Sequence, residues 1–326
     1  ITDVMELGDM GSGCEDENCG FPQDCLNQEC QLEPVFGLIE LVVTTVIYIP
    51  LMLSGLLGNI LTILVVWLRP HMRSSTYLYL SSMAVSDLVI LLLLPLDLYK
   101  LWRPRPWPLG DLACKLTVFL SECCTFCTIL HITFLSLERY LAVCWPITAK
   151  TLVTRRRTRA LIGCLWLCAV ISAAPVLVMV GVEEVEGEEL GECRCTQYAV
   201  SSGLLSTMTI VSNLYFLVPF CILGLVYSLI GRTLWLRPQS SRKDQSHRHT
   251  VKMLGVIVLA FVLCWLPFHV GRTIFSLSLS TYFNLVSSVL FYLSAAVNPL
   301  LYNLMSARYR HAVHRKTHLH LGHSGC

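Results

Sequence analysis

Charge is scarce in this 326-residue sequence: Asp, Glu, Lys and Arg make up 14% of it, against 54% hydrophobic residues. That balance excludes an ordinary soluble domain, in which about a quarter of residues are charged. Lysine is missing between Lys252 and Lys316, so the last apolar stretch cannot form a retinal Schiff base, which needs a lysine amine. The first 37 residues hold nine acids and no Lys or Arg. Internal repeats are absent, which counts against a transporter built from duplicated halves. Neither the charged rings of a channel nor the convergent nucleophile and base of a membrane enzyme can be found.

Apolar length is what the sequence has in quantity. Seven stretches can cross about 30 Å of hydrocarbon as helix: residues 38–68, 76–101, 112–143, 160–182, 201–236, 251–274 and 282–304. Residues 41–68, 195–231 and 273–307 carry no Asp, Glu, Lys or Arg. The expected fold is an all-α membrane protein: a seven-transmembrane helix bundle over residues 38–304, after a tail of residues 1–37 and before a segment of residues 305–326. In that last segment residues 309–313 are expected to open a short amphipathic eighth helix lying on the membrane. Lys and Arg gather after the first, third and fifth stretches and in the C-terminal tail, most densely at Arg155-Arg156-Arg157. The positive-inside rule makes that side cytoplasmic. A multi-pass plasma-membrane protein with its N-terminus outside is predicted. Basic clusters beside spans read as topogenic and lipid-facing, not as a nucleic-acid site. The opening residues are polar and acidic, so no cleavable signal is expected and the first span serves as its own insertion signal.

The 16 cysteines divide by position. Cys123, Cys124, Cys127, Cys164, Cys168, Cys221 and Cys264 fall within spans, where they are expected as small buried thiols packing as hydrophobes. Cys114 and Cys193 fall on the oxidising side and are expected to pair, with Cys195 the rival partner. Cys14, Cys19, Cys25 and Cys30 form an even set with three connectivities; they read as a small stapled knot or as an imperfect gene assembly.

Ionisable groups inside a bilayer are expensive and usually functional. Asp87 lies mid-span like Asn59, with Thr128, Ser294 and Asn298 at comparable depth. A sodium ion or water cluster can bridge them; a neutral Asp87 satisfied by neighbouring hydroxyls is the alternative. Beyond such an ion no cofactor is expected. Pro95, Pro175, Pro219, Pro267 and Pro299 lie within spans, where each removes a backbone donor and opens a kink. Trp265, just before Pro267, is placed to act as a pivot. Asp97 lies high in the second span, Glu122 in the third and Arg272 near the outer end of the sixth. A Glu122–Arg272 pair would divide one pocket into two; in the other reading Arg272 snorkels to the headgroups.

Glu138-Arg139-Tyr140 closes the third span, and Asn298-Pro299-Leu300-Leu301-Tyr302 breaks the seventh. With Gly58-Asn59, Asp87, Cys114, Trp166, Pro219, Tyr227 and Cys264-Trp265-Leu266-Pro267, they resemble the rhodopsin-like G-protein-coupled receptors over residues 38–313. Residues 77–87 and 265–272, with Glu192-Cys193-Arg194, are similar to the ghrelin- and motilin-receptor branch of that family. The resemblance implies a peptide-hormone receptor and no enzyme activity. It implies an activation switch at Glu138, Arg139, Tyr140, Tyr227, Trp265, Pro267, Asn298, Pro299 and Tyr302. An acylated ghrelin-like peptide is the implied ligand, held by Asp97, Ser121, Glu122, Phe268 and Arg272, with a motilin-like or orphan peptide the alternative. The implied partner is a heterotrimeric G protein of the Gq class, acting through phospholipase C. Arrestin is left open, because the tail lacks the usual Ser/Thr cluster. Ser121 stands where an aminergic receptor has its Asp, which turns the reading away from biogenic amines. Val118 replaces a polar Gln of the ghrelin site, and the loop at 276–281 is short.

In many members of that family an acid at the inner end of the sixth span holds the Arg of the triplet. Here His247 stands at that place, with Asp244 nearly a turn earlier. A weak inactive lock and high basal activity are predicted. Cells expressing the chain without ligand should signal above mock-transfected cells, and His247→Glu should lower that signal. Parity with mock cells and an indifferent His247→Glu would end the idea.

Overall fold

A computed structural model of the chain describes residues 36–68, 74–185, 188–236, 242–274 and 281–305. The expected N-terminal knot and the eighth helix lie outside the described residues. In chain order the elements are α1 (Leu38–Leu68), α2 (Ser75–Trp102), α3 (Gly110–Cys144), α4 (Pro146–Leu152), α5 (Arg155–Ala173), the single turn α6 (Val176–Met179), strands β1 (Val180–Val185) and β2 (Glu188–Cys195), α7 (Gln197–Ser201), α8 (Leu204–Leu236), α9 (Arg242–Ile274) and α10 (Thr281–Met305). Helices α1, α2, α3, α5, α8, α9 and α10 fall on the predicted spans. Among the described residues five helices are long and apolar enough to cross a membrane, and α9 and α10 contribute the shorter apolar stretches Val258–Val270 and Leu285–Pro299.

Backbone groups in hydrocarbon must be satisfied within their own segment, so helix is the form these stretches take. Hydroxyls within them follow the same rule. Thr117, Thr125, Thr133 and Ser136 each donate to the carbonyl four residues back. Helix α3 is the central column: 67% of its apolar window is buried, against 28% for α1 and 22% for the α5–α6 span. Around it close Met83 and Leu91 of α2, Leu165 of α5, Phe216 of α8, Trp265 of α9 and Phe291 of α10. Leu57, Leu92, Leu167, Leu225 and Leu263 point outward, where lipid tails are as apolar as leucine. Cys164, Cys168 and Cys221 also face outward, a departure from the expectation that every in-span thiol is buried; only Cys123, Cys124, Cys127 and Cys264 are.

Helices in lipid gain nothing from hydrophobic burial against one another, so close van der Waals approach supplies the attraction. Glycine permits it between α1 and α10. A Cβ on Gly55 would lie 2.7 Å from Leu91 Cδ1 and 3.2 Å from Ala296 Cα, and one on Gly58 would lie 2.7 Å from Pro299 Cβ.

The fourth span departs from its expected bounds of 160–182. Helix α5 starts at Arg155, where Thr154 Oγ1 accepts from the Arg157 amide at 3.4 Å. It ends at Ala173, because Pro175 has no N–H with which to continue it; Pro175 caps α6 instead, and Val180 already belongs to β1. Pro50 lies inside α1, a further in-span proline that the reading of spans passed over. The β1–β2 hairpin was also not expected. Its strands pair antiparallel, Val182 opposite Cys193, and the Cys114–Cys193 disulfide pins it to the start of α3. Cys193, not Cys195, takes that bond. The Val182 amide donates to Asp111 Oδ1 at 3.0 Å, the Trp107 amide to Gly191 O at 2.8 Å, and Arg105 pairs with Glu192 at 2.9 Å.

Gly55→Leu should cost about 1–3 kcal/mol by overpacking the α1–α10 seam, read as a lower melting temperature of the detergent-solubilised protein. Gly224→Leu, with nothing within 4 Å of its would-be Cβ, should not lower it. Equal melting temperatures for the two would refute a tight seam.

Candidate functional site

The buried polar groups lie at three levels along the bundle. At mid-depth Asp87 is 1% exposed, and Asn298 Nδ2 donates to its Oδ2 at 2.9 Å. Pro299 has no N–H to offer the carbonyl of Ala295 four residues back. Asn59 of α1 fills that gap, donating to Ala295 O at 3.1 Å and to Gly55 O at 3.0 Å. Thr128 shares a hydrogen bond with Ser86 at 2.9 Å, and Ser294 donates to Phe291 O at 2.6 Å. Of the four residues expected around an ion, Asp87 and Asn298 therefore touch directly. Thr128 and Ser294 join Asn298, Cys264 and Trp265 in lining a cavity with room for about one water. One carboxylate with hydroxyl and amide oxygens suits a hard cation such as sodium. No cluster of three or more His, Cys, Asp or Glu side chains able to hold a metal exists among the described residues.

Trp265, just before Pro267 on α9, is 1% exposed. Phe261, Phe268, His269 and Phe291 surround it at centroid distances of 5.3 to 6.2 Å. The Pro267 carbonyl accepts from Ser287 of α10 at 3.4 Å.

Toward the hairpin end, Asp97 of α2 accepts a hydrogen bond from Tyr292 of α10. With Tyr48, Lys100, Leu101, Leu285, Ser288 and Tyr292 it lines a cavity of about 380 Å³. Tyr292 packs edge-on against Phe291, and Phe291 edge-on against Trp265, so two rings connect Asp97 with the indole. Phe268 stacks on Phe291 at 5.4 Å. Ser121 and the buried Glu122 lie on α3, outside the lining of the Asp97 cavity. Arg272 falls on α9, but its side chain lies outside the described residues, and with it the Glu122–Arg272 pair.

At the opposite, basic end Glu138 is 8% exposed. Its Oε1 accepts from Tyr79 Oη at 3.1 Å and Thr158 Oγ1 at 3.3 Å. Arg139 has Glu138, Tyr227 and Tyr79 as neighbours. Its Nε is buried without a hydrogen-bond partner among the described residues. Trp145 Nε1 donates to Tyr140 Oη at 3.5 Å. Tyr302 falls on α10, and Asp244 and His247 on α9; the side chains of all three lie outside the described residues. Tyr48, Tyr79, Ser86, Thr158 and Tyr292 were not singled out from sequence. The only available signal was a hydroxyl-bearing residue at the depth of each buried acid.

Polar groups strung along the axis of a lipid-embedded bundle suit transmission between its two ends; the class is a multi-pass membrane receptor. The chain belongs to the rhodopsin family of seven-transmembrane receptors, which it matches over residues 58–302. It is 50% identical over 328 residues to the growth hormone secretagogue receptor type 1 of Sus scrofa, aligning 95% of this chain with 88% of that receptor. Identity to the same-named receptor of Homo sapiens is 52% over 286 residues, covering 82% of this chain and 78% of the relative. The Homo sapiens motilin receptor is 43% identical over 344 residues, covering 88% and 83%. Membership of that family, together with these relatives, makes this a plasma-membrane peptide receptor that works with a G protein, and not an enzyme.

Asn298→Ala should destabilise the receptor by about 1–3 kcal/mol, because a buried carboxylate loses its donor. Adding Asp87→Asn should recover part of that loss in a thermal melt. No recovery would mean that Asp87 is held by something else.

Proposed function

We propose that this receptor answers an acylated peptide of the ghrelin type and acts through a Gq-class G protein on phospholipase C. One observation carries the reading: 50% identity across 95% of the chain to a receptor named for growth hormone secretagogues, against 43% to the motilin receptor. The hairpin end faces outside, as its disulfide requires an oxidising compartment, and the Arg-rich end faces the cytoplasm and its anionic lipid. Asp97 offers a carboxylate to a cationic group of the peptide, and the stacked Phe268 and Phe291 offer an apolar wall. Ser121, Glu122 and Arg272 complete the ligand site. The signal runs from Asp97 through Tyr292, Phe291 and Trp265 to the Asp87–Asn298 contact, and on to Arg139. A sodium ion or water held by Asp87, Thr128, Ser294 and Asn298 favours the resting arrangement. Basal activity is high, in keeping with His247 at the place of an acid.

A second reading, a motilin-like or orphan peptide, has one observation in its favour. Val118 packs into the apolar cluster of Trp107, Cys114 and Met208 where the ghrelin site has a polar residue.

Inositol phosphate accumulation in cells expressing the chain is the test, run without ligand, with acylated ghrelin and with its des-acyl form. A graded response to the acylated form alone is expected. High basal signal with no response moves the ligand to the second reading, and silence throughout removes the Gq assignment.

A further inference from the structure

Glu138 and Arg139 are neighbours of opposite charge at the basic end of α3, yet no ion pair or hydrogen bond joins their side chains. The carboxylate is turned toward α2 and α5. Its Oε1 accepts from Tyr79 Oη at 3.1 Å and from Thr158 Oγ1 at 3.3 Å. Ser75 Oγ lies 2.9 Å from Thr158 Oγ1. A hydroxyl has one proton to give. Thr158 gives its proton to Glu138, so the proton between Thr158 and Ser75 belongs to Ser75, and donation runs from Ser75 to Thr158 to the carboxylate.

Tyr79 and Thr158 are 0% and 2% exposed, and Ser75 is 9% exposed. Hydroxyl donors to a carboxylate at such a place are charge-assisted and face little competition from water. The other carboxylate oxygen, Glu138 Oε2, is buried without a hydrogen-bond partner among the described residues, and Arg139 beside it is in a like condition. Its Nε is buried with no acceptor among the described residues, while the residue as a whole is half-buried; an unmade hydrogen bond is costly for a charged group. Two events would relieve it: return of the Glu138 carboxylate, or arrival of an acceptor from the cytoplasmic side. The hydroxyls on Glu138 oppose the first and thereby favour the second.

We propose that Tyr79 and Thr158, oriented by Ser75, are positioning residues of the switch: they hold the Glu138 carboxylate away from Arg139, leave the guanidinium available to the G protein and so set the ligand-independent activity. This rests on reading Glu138 and Arg139 as the activation switch. It differs from the His247 expectation, which concerns a partner on α9, because the restraint here lies between α2, α3 and α5.

The test is ligand-independent GTPγS binding in membranes from cells expressing the full chain, normalised to receptor at the surface. Tyr79→Phe and Thr158→Val each preserve shape and delete one donor to Glu138. Each should lower the signal about fivefold or more, as expected for a hydrogen bond to a charged group, and the pair should lower it further. Ser75→Ala should give a smaller loss than Thr158→Val. Adding Glu138→Gln to the pair should restore the signal, since no carboxylate then remains to capture Arg139; a role in packing alone would leave the loss in place. A parent chain without ligand-independent signal, an unchanged or raised signal in the pair, or a loss that Glu138→Gln does not restore overturns the proposal. Arg139→Leu probes the underlying reading separately. If it leaves the parent signal intact, Arg139 is not the switch, and the proposal falls for that reason rather than through Tyr79 or Thr158.

Discussion

A helix inside lipid cannot borrow a hydrogen bond from water, and much of the interior of this receptor follows from that constraint. Pro299 leaves the Ala295 carbonyl without its helical donor. Asn59 supplies one from α1, and it can do so because Gly55 and Gly58 let the two helices approach within van der Waals contact. One residue before the proline, Asn298 turns to the Asp87 carboxylate. Kink, glycine pair and buried acid are therefore one arrangement. A change at any of them leaves a polar group of another helix unpaired, which is expensive in hydrocarbon.

The same constraint acts differently at the two ends. At the hairpin end, a disulfide and bonds from Asp111, Trp107 and Arg105 hold β1 and β2 over the bundle, while the Asp97 cavity lies between α1, α2 and α10. At the basic end, Glu138 is engaged from α2 and α5 and Arg139 is left under-satisfied. A half-buried cation with one buried donor unused is a place where a small rearrangement changes the energy. Packed rings at Tyr292, Phe291 and Trp265 provide physical continuity toward it. Continuity becomes coupling only where an element has two arrangements, and α9, with Pro267 beside the indole, has the means for that.

Much of this was legible beforehand, and the misses have definite causes. Helices α1, α2 and α3 start and stop within about two residues of the apolar runs, within the ordinary spread of helix ends. The fourth span was misjudged because an apolar run continues through Val180 and Val182, while Pro175 stops the helix earlier and hands those valines to β1. The hairpin escaped notice because its acidic strands alternate weakly. Asp87 and Asn298 were grouped by depth and are in contact, yet depth could not tell that Thr128 would turn to Ser86.

From residue types and their order alone, this chain determined its seven apolar crossings, the asymmetry of its basic residues, the cysteines able to bridge and the few polar residues too expensive to be idle. Those follow from transfer energies and spacing, which are local properties of a sequence. Which polar residue meets which was decided only by the tertiary structure. Tyr79 reaches Glu138 across 59 positions, Asp97 reaches Tyr292 across 195 and Asp87 reaches Asn298 across 211. Helix rotation and close packing set those meetings, and neither can be read from one helix without its neighbours.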